Sequence, residues 1–140
     1  MTPQQQRIVI AEACGWSFIR EGQSIERNYH IGCVTWVAIS TDGRKYEYRK
    51  GYEEIEYLTK EDACNDRTPD YLNDLNAMHE AEKVLIDKGV NAWWAYVAFI
   101  NRHNPTPFKS ETAVNATASQ RAKAFLQTLE LWQETSTQPQ

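Results

Sequence analysis

Apolar residues recur along this chain with two different periods, and each change of period marks an element. In the last third, Ala118, Ala122, Phe125, Leu126, Leu129 and Trp132 follow one another at three- and four-residue spacings. That is the pattern of a helix with one apolar stripe. Thr117 precedes the run and Gln120 follows three residues later, a capping-box pair at the helix start. Thr2-Pro3 opens an N-terminal helix in the same manner, buried along Ile8 and Ala11 with Val9 and Ala13 beside them, and ended by Gly15. Gly15-Trp16 reads as a turn anchored by the indole. Thr68-Pro69-Asp70 predicts a further helix whose stripe is Tyr71, Leu72, Leu75, Met78, Ala81 and Leu85, closed by Lys88-Gly89.

Between these stretches the period shortens to two. Residues 33–40 and 44–49 alternate around Asp42-Gly43, which predicts a two-residue hairpin with Ile39 opposite Tyr46 and Val37 opposite Tyr48. Trp36 would then face Arg49. Tyr52, Ile55 and Tyr57 leave room for a further strand, and the acidic stretch Lys60 to Arg67 reads as loop. Residues 91–100 are apolar at both parities, which predicts a central strand buried on both faces. A turn-rich loop follows at 101–107, and Phe108 to Val114 returns as an antiparallel neighbour. The expected class is α+β, an antiparallel sheet of about four strands with helices packed on it. Residues 1–134 read as a single domain and 135–140 as a flexible tail.

Composition narrows the chemistry. The 140 residues carry a net charge of −4, with ten acids against Lys60 and Arg67 between Glu53 and Glu82. Arg102, Lys109, Arg121 and Lys123 meet only Glu111 between positions 102 and 123. A small basic cluster on an acidic chain suits a small anion and argues against duplex nucleic acid, which needs a broad basic face. No apolar run reaches membrane-spanning length, and no basic-then-apolar leader opens the sequence. Three widely spaced cysteines, Cys14, Cys33 and Cys64, point to reduced thiols in a cytoplasm.

No catalytic constellation is evident. His30, His79 and His103 are isolated. His79 and Glu82 stand one helical turn apart without a third metal ligand, and no glycine loop cradles phosphate. Neither a metal nor a cofactor is expected, and the chain does not read as an enzyme. Arg121 lies in the first turn of the C-terminal helix, where unpaired N–H groups and a guanidinium can receive an anion. The alternative is a docking helix with one solvated arginine. Arg20, beside the Trp16 anchor, has the same two readings.

Three blocks of sequence carry a resemblance: Ala-Cys-Gly-Trp at 13–16, Pro-Asp-Tyr-Leu-Asn-Asp-Leu-Asn-Ala-Met-His-Glu-Ala-Glu-Lys at 69–83, and Ala-Thr-Ala-Ser-Gln-Arg-Ala-Lys-Ala-Phe-Leu at 116–126. Together they resemble the phage ABA-sandwich domain proteins, with 21–66 as a longer, hairpin-containing insertion. The resemblance implies an α/β/α sandwich and similarity to the anti-Thoeris sponges. Those bind cyclic ADP-ribose-type signals without cleaving them, and some also hold the cyclic oligonucleotides of CBASS immunity. By that likeness Arg121 would contact phosphate. Arg102, Trp94, Phe108, Asn101, Asn104 and Arg20 complete the candidate ligand-binding set by type and neighbourhood. The implied protein is a homo-oligomer (dimer or hexamer) in a host cytoplasm that sequesters a cyclic nucleotide. The alternative is a phage accessory protein that grips a host protein through exposed aromatic residues.

Overall fold

The computed structural model describes residues 1–22, 34–39, 59–103 and 115–134. Along them run α1 (Pro3–Ala13), β1 (Ser17–Gly22), β2 (Val34–Ile39), α2 (Lys60–Arg67), α3 (Leu75–Lys88), α4 (Val90–His103) and α5 (Ala118–Thr128). The described chain is mostly helical, and its one sheet has two strands. This overturns the expected four-stranded antiparallel sheet and, with it, the α/β/α sandwich. The chain divides into two compact units, one of residues 1–10 with 70–140 and one of residues 11–69.

The largest correction is α4. Residues 91–100 were expected as a buried strand because both parities are apolar, yet a helix buried on most sides gives the same pattern. What decides is composition and length. Ala92, Ala95 and Ala98 favour a helix, β-branched residues are few, and the run extends over 14 residues.

In the first unit α4 packs against α5 and against α3, and α3 also meets α5. Met78, Leu85, Tyr96, Ile100, Phe125 and Leu126 are fully buried there. Each is worth about 1.5–3 kcal/mol when removed from water. The C-terminal helix forms as its sequence predicts. Thr117 Oγ1 accepts from the Gln120 N–H at 3.2 Å, and Gln120 Oε1 accepts from the Thr117 N–H at 2.9 Å. It ends when the Leu131 N–H reaches back to the Leu126 carbonyl at 2.8 Å, with Glu130 in the left-handed region at φ 59°. Trp132 therefore lies beyond the helix and does not extend its stripe.

Helix α3 starts later than Thr68-Pro69-Asp70 suggested. Asp74 is its cap, accepting from the N–H groups of Asn76 at 2.9 Å and Ala77 at 3.4 Å. Asp70 instead holds a preceding turn by accepting from Asn73 Nδ2 at 3.0 Å. The buried side of α3 is Ala77, Met78, Ala81, Glu82 and Leu85, while Leu75 is exposed. A carboxylate thus occupies a position on the apolar face.

In the second unit β1 and β2 pair antiparallel, Ser17 with Ile39 through Gly22 with Val34. The turn expected at Gly15-Trp16 leads directly into β1, a strand that the poor alternation of Phe18 and Ile19 did not announce. The stretch 60–67, expected as loop, is helix α2. Thr59 caps it, with Thr59 Oγ1 accepting from the Asp62 N–H at 3.1 Å, and Glu61 and Asp62 sit at the positive end of its dipole. Ala63 and Cys64 are its buried side, and α2 packs on β2. Thr68 closes it, donating from Oγ1 to the Cys64 carbonyl at 2.7 Å. The Asp42-Gly43 hairpin, the Trp36–Arg49 pair, the strand at 51–58, the return strand at 108–114 and the tail lie outside the described residues.

Candidate functional site

The first two turns of α5 present two side chains with different fates, Arg121 inward and Lys123 towards a cleft. Arg121 is 7% exposed and Glu82, on α3, is 4% exposed. Arg121 Nη1 donates to Glu82 Oε1 at 3.0 Å, and Arg121 Nε donates to the Ala116 carbonyl at 3.1 Å. The Tyr96 hydroxyl, on α4, donates to the same Glu82 oxygen. The other carboxylate oxygen, Glu82 Oε2, lies 2.9 Å from His79 Nδ1, and the His79 side chain is 47% exposed. One carboxylate thereby ties together α3, α4 and α5.

The electrostatics follow from that geometry. Burial pushes the Tyr96 phenol well above its ordinary value of 10, and the hydrogen bond to Glu82 and its charge push the same way, with Arg121 opposing. For Arg121 burial acts to lower the value. The hydrogen bond and charge of Glu82, aided by Tyr96, outweigh it and hold the guanidinium above its ordinary value. Both groups keep their protons throughout the physiological range. An Arg121 so engaged would have to abandon Glu82 inside the core to bind an external phosphate. Breaking such a pair costs about 3–5 kcal/mol.

Lys123 is differently placed. It lines an open cleft of about 330 Å³ together with Gln6, Ser119, Gln120 and Trp132. Its ammonium lies 5.0 Å from the centre of the Trp132 ring, a cation–π contact of about 0.5–1 kcal/mol at an exposed site. The cleft opens beside the start of α5, where the first-turn N–H groups favour negative charge. The Trp132 indole N–H donates to Glu134 Oε1 at 3.1 Å, so one carboxylate stands at the edge of the aromatic wall. The cleft combines a cation, a π-face, two amides and a hydroxyl.

The other sequence-derived candidates are dispersed. Trp94, 66% exposed, Asn101 and Arg102 all lie on α4. Asn101 is half-buried, and its Oδ1 is buried without a hydrogen-bond partner among the described residues. The Arg102 guanidinium lies 5.4 Å from the Phe99 ring. Arg20 belongs to β1, in register with Trp36. Asn104 and Phe108 lie outside the described residues. Of these, Trp94, Asn101 and Arg102 take no part in the cleft at α5. Of the residues that line it, Gln120 is legible in the sequence as a cap, Lys123 only as part of a basic cluster, and Trp132 reads as part of a helix stripe although it lies beyond the helix end.

In the second unit Lys60 Nζ lies 2.6 Å from Glu12 Oε1 and within 6 Å of two ring centres, Phe18 at 5.8 Å and Trp36 at 5.9 Å. Among the described residues no group of three His, Cys, Asp or Glu side chains could hold a metal ion. His79 and Glu82, one turn apart, bond to each other. Cys14 and Cys64 form no disulfide. No helix among the described residues is long and apolar enough to cross a membrane. Compared with known protein families, curated proteins and solved structures, the chain matches none.

Proposed function

We propose that this protein is a non-cleaving binder of a small, phosphate-bearing ligand with a planar ring, taken up in the cleft at the start of α5. The observation that carries the reading is the placement of Lys123 over Trp132 beside Ser119 and Gln120. An anionic group would meet the ammonium and the N-terminal end of the helix, and a base would stack on the indole. Gln120 Oε1 is held by the Thr117 N–H and Gln6 Nε2 by the Met1 carbonyl, which leaves Gln120 Nε2, Gln6 Oε1 and the Ser119 hydroxyl to orient it. A volume of about 330 Å³ is at the small end of ligand sites and suits one nucleoside phosphate better than a long oligonucleotide.

The sequence blocks at 13–16, 69–83 and 116–126 supply the ligand class. Their resemblance to phage proteins favours a cyclic ADP-ribose-type or cyclic oligonucleotide signal, sequestered as an immune-evasion device. Because the observed fold is not the sandwich, the cleft and not the architecture is the support for this reading. The phosphate contact moves from Arg121, which is engaged with Glu82, to Lys123.

Thermal-shift and calorimetric titration with cyclic ADP-ribose isomers and cyclic dinucleotides is the test. Binding with intact ligand recovered after denaturation is the expected result. Absence of stabilisation by all of them at concentrations far above micromolar would rule the reading out, and recovery of a cleaved product would turn it towards an enzyme.

A further inference from the structure

The outward face of α4 takes no part in the cleft at α5. Val90, Trp94, Ala98 and Arg102 repeat every four residues along it, and all four are exposed. Val90 is 70% and Trp94 66% exposed, and Ile86, at the end of α3, continues the strip at 58%. Beside them Ile86, Gly89, Val90 and Trp93 line an open apolar depression of about 290 Å³. A helix apolar on nearly all sides is ordinarily covered on all sides. A strip of this kind on a free surface marks an interaction site.

We infer that this face is the contact between two copies of the chain, packed α4 against α4 in antiparallel fashion about an axis near Tyr96. The strip is self-complementary in that arrangement and in no parallel one. Trp94 of each copy falls on Ala98 of the other, a large side chain over a small one, which lets the helix axes approach closely. Arg102 of each copy falls beside Val90 of the other, at the corner between α3 and α4. Its aliphatic stem, steadied on Phe99, covers the apolar depression. Its guanidinium reaches the exposed Asp87 of the second copy. Lys88 at the same corner opposes this approach, so the contribution of Asp87 is tested by exchanging the two charges. A two-fold contact makes each of these interactions twice. A helix-on-helix contact of this length covers on the order of 1,000 Å² in total, the lower limit for a specific interface. This inference is independent of what the cleft at α5 binds.

Sedimentation velocity from micromolar to millimolar protein tests it, with circular dichroism and melting temperature as checks on the fold. The wild type is expected to dimerise. Trp94→Glu and Ala98→Glu, both at exposed positions, are each expected to weaken the dimer by about 100-fold or more while leaving the melt of the monomer unchanged. Arg102→Glu is expected to weaken it about tenfold, and the exchange Asp87→Arg with Arg102→Glu to return most of that loss. A wild type that stays monomeric at millimolar concentration would overturn the inference. So would a dimer indifferent to Trp94→Glu, or an exchange variant weaker than Arg102→Glu alone. A monomeric chain that binds a different protein through Trp94 would assign the face to that partner instead.

Discussion

Arg121 donates to Glu82 at 3.0 Å across 39 residues of sequence, with both side chains more than nine-tenths buried. The pair joins the first turn of α5 to the middle of α3, and Tyr96 adds α4 through the same carboxylate oxygen. A buried pair of this kind is costly to break singly and far less costly to replace as a whole. Glu82→Leu and Arg121→Met are each expected to destabilise by about 3–5 kcal/mol in urea denaturation. The double replacement Glu82→Leu with Arg121→Met is expected to cost much less than the two single losses together. Strict additivity in that cycle would show that the two residues do not act as a unit.

Tyr96 sets the alkaline limit. Its folded-state value is raised above the ordinary 10 by burial and by Glu82. The unfolded chain therefore releases this proton first. Stability is unaffected by Tyr96 below pH 10 and falls as the pH rises above it, by up to about 1.4 kcal/mol per pH unit for one such group. Urea midpoints measured across that range are expected to fall, and Tyr96→Phe is expected to flatten the dependence by one proton. Absorbance titration of the tyrosinates should find one of the seven tyrosines ionising only as the protein unfolds.

Glu130 offers a gain in stability. It occupies the left-handed region at φ 59°, where a side chain costs roughly 1 kcal/mol relative to glycine. The hydrogen bonds that close α5 there, Glu130 N–H to Gln127 and Leu131 N–H to Leu126, need only backbone. Glu130→Gly is expected to raise stability by about 0.5–1 kcal/mol. An unchanged or lowered denaturation midpoint would contradict this reading of the helix end.

The cap of α3 is a separate test of local structure. Asp74→Ala removes the acceptor for two N–H groups and is expected to cost about 1 kcal/mol. Thr68→Ala should leave the start of α3 intact, because Thr68 ends α2. Chemical-shift changes confined to 63–68 in that variant would agree. Loss of helical shifts at 75–78 would place the α3 cap at Thr68 after all.

These elements show what sequence pattern can and cannot carry. The capping box of Thr117 and Gln120 and the stop at Gly15 are local chemistry, complete within a few residues, and they were legible. The helix at 90–103 was not, because a run apolar at every position gives no period with which to choose strand or helix. Helix α2 was hidden by its charge, since only Ala63 and Cys64 are buried. The burial of Arg121 was invisible for a different reason. Its partner Glu82 lies 39 residues away on another helix, and no spacing within α5 reports it. Of the candidate ligand residues, Arg121 faces the core, while Lys123, two positions on, faces the cleft.

The central claim is that the cation meeting a ligand phosphate is Lys123 and that Arg121 is engaged in the core. Calorimetric titration of cyclic ADP-ribose and of a cyclic dinucleotide into Lys123→Ala, beside the wild type and Arg121→Lys, tests this most directly. Lys123→Ala is expected to lose tenfold or more in affinity with a melting temperature lowered by no more than the few degrees its Trp132 contact accounts for, and Arg121→Lys to lose stability first. Undiminished binding by Lys123→Ala, or a stable Arg121→Lys that no longer binds, would contradict the account.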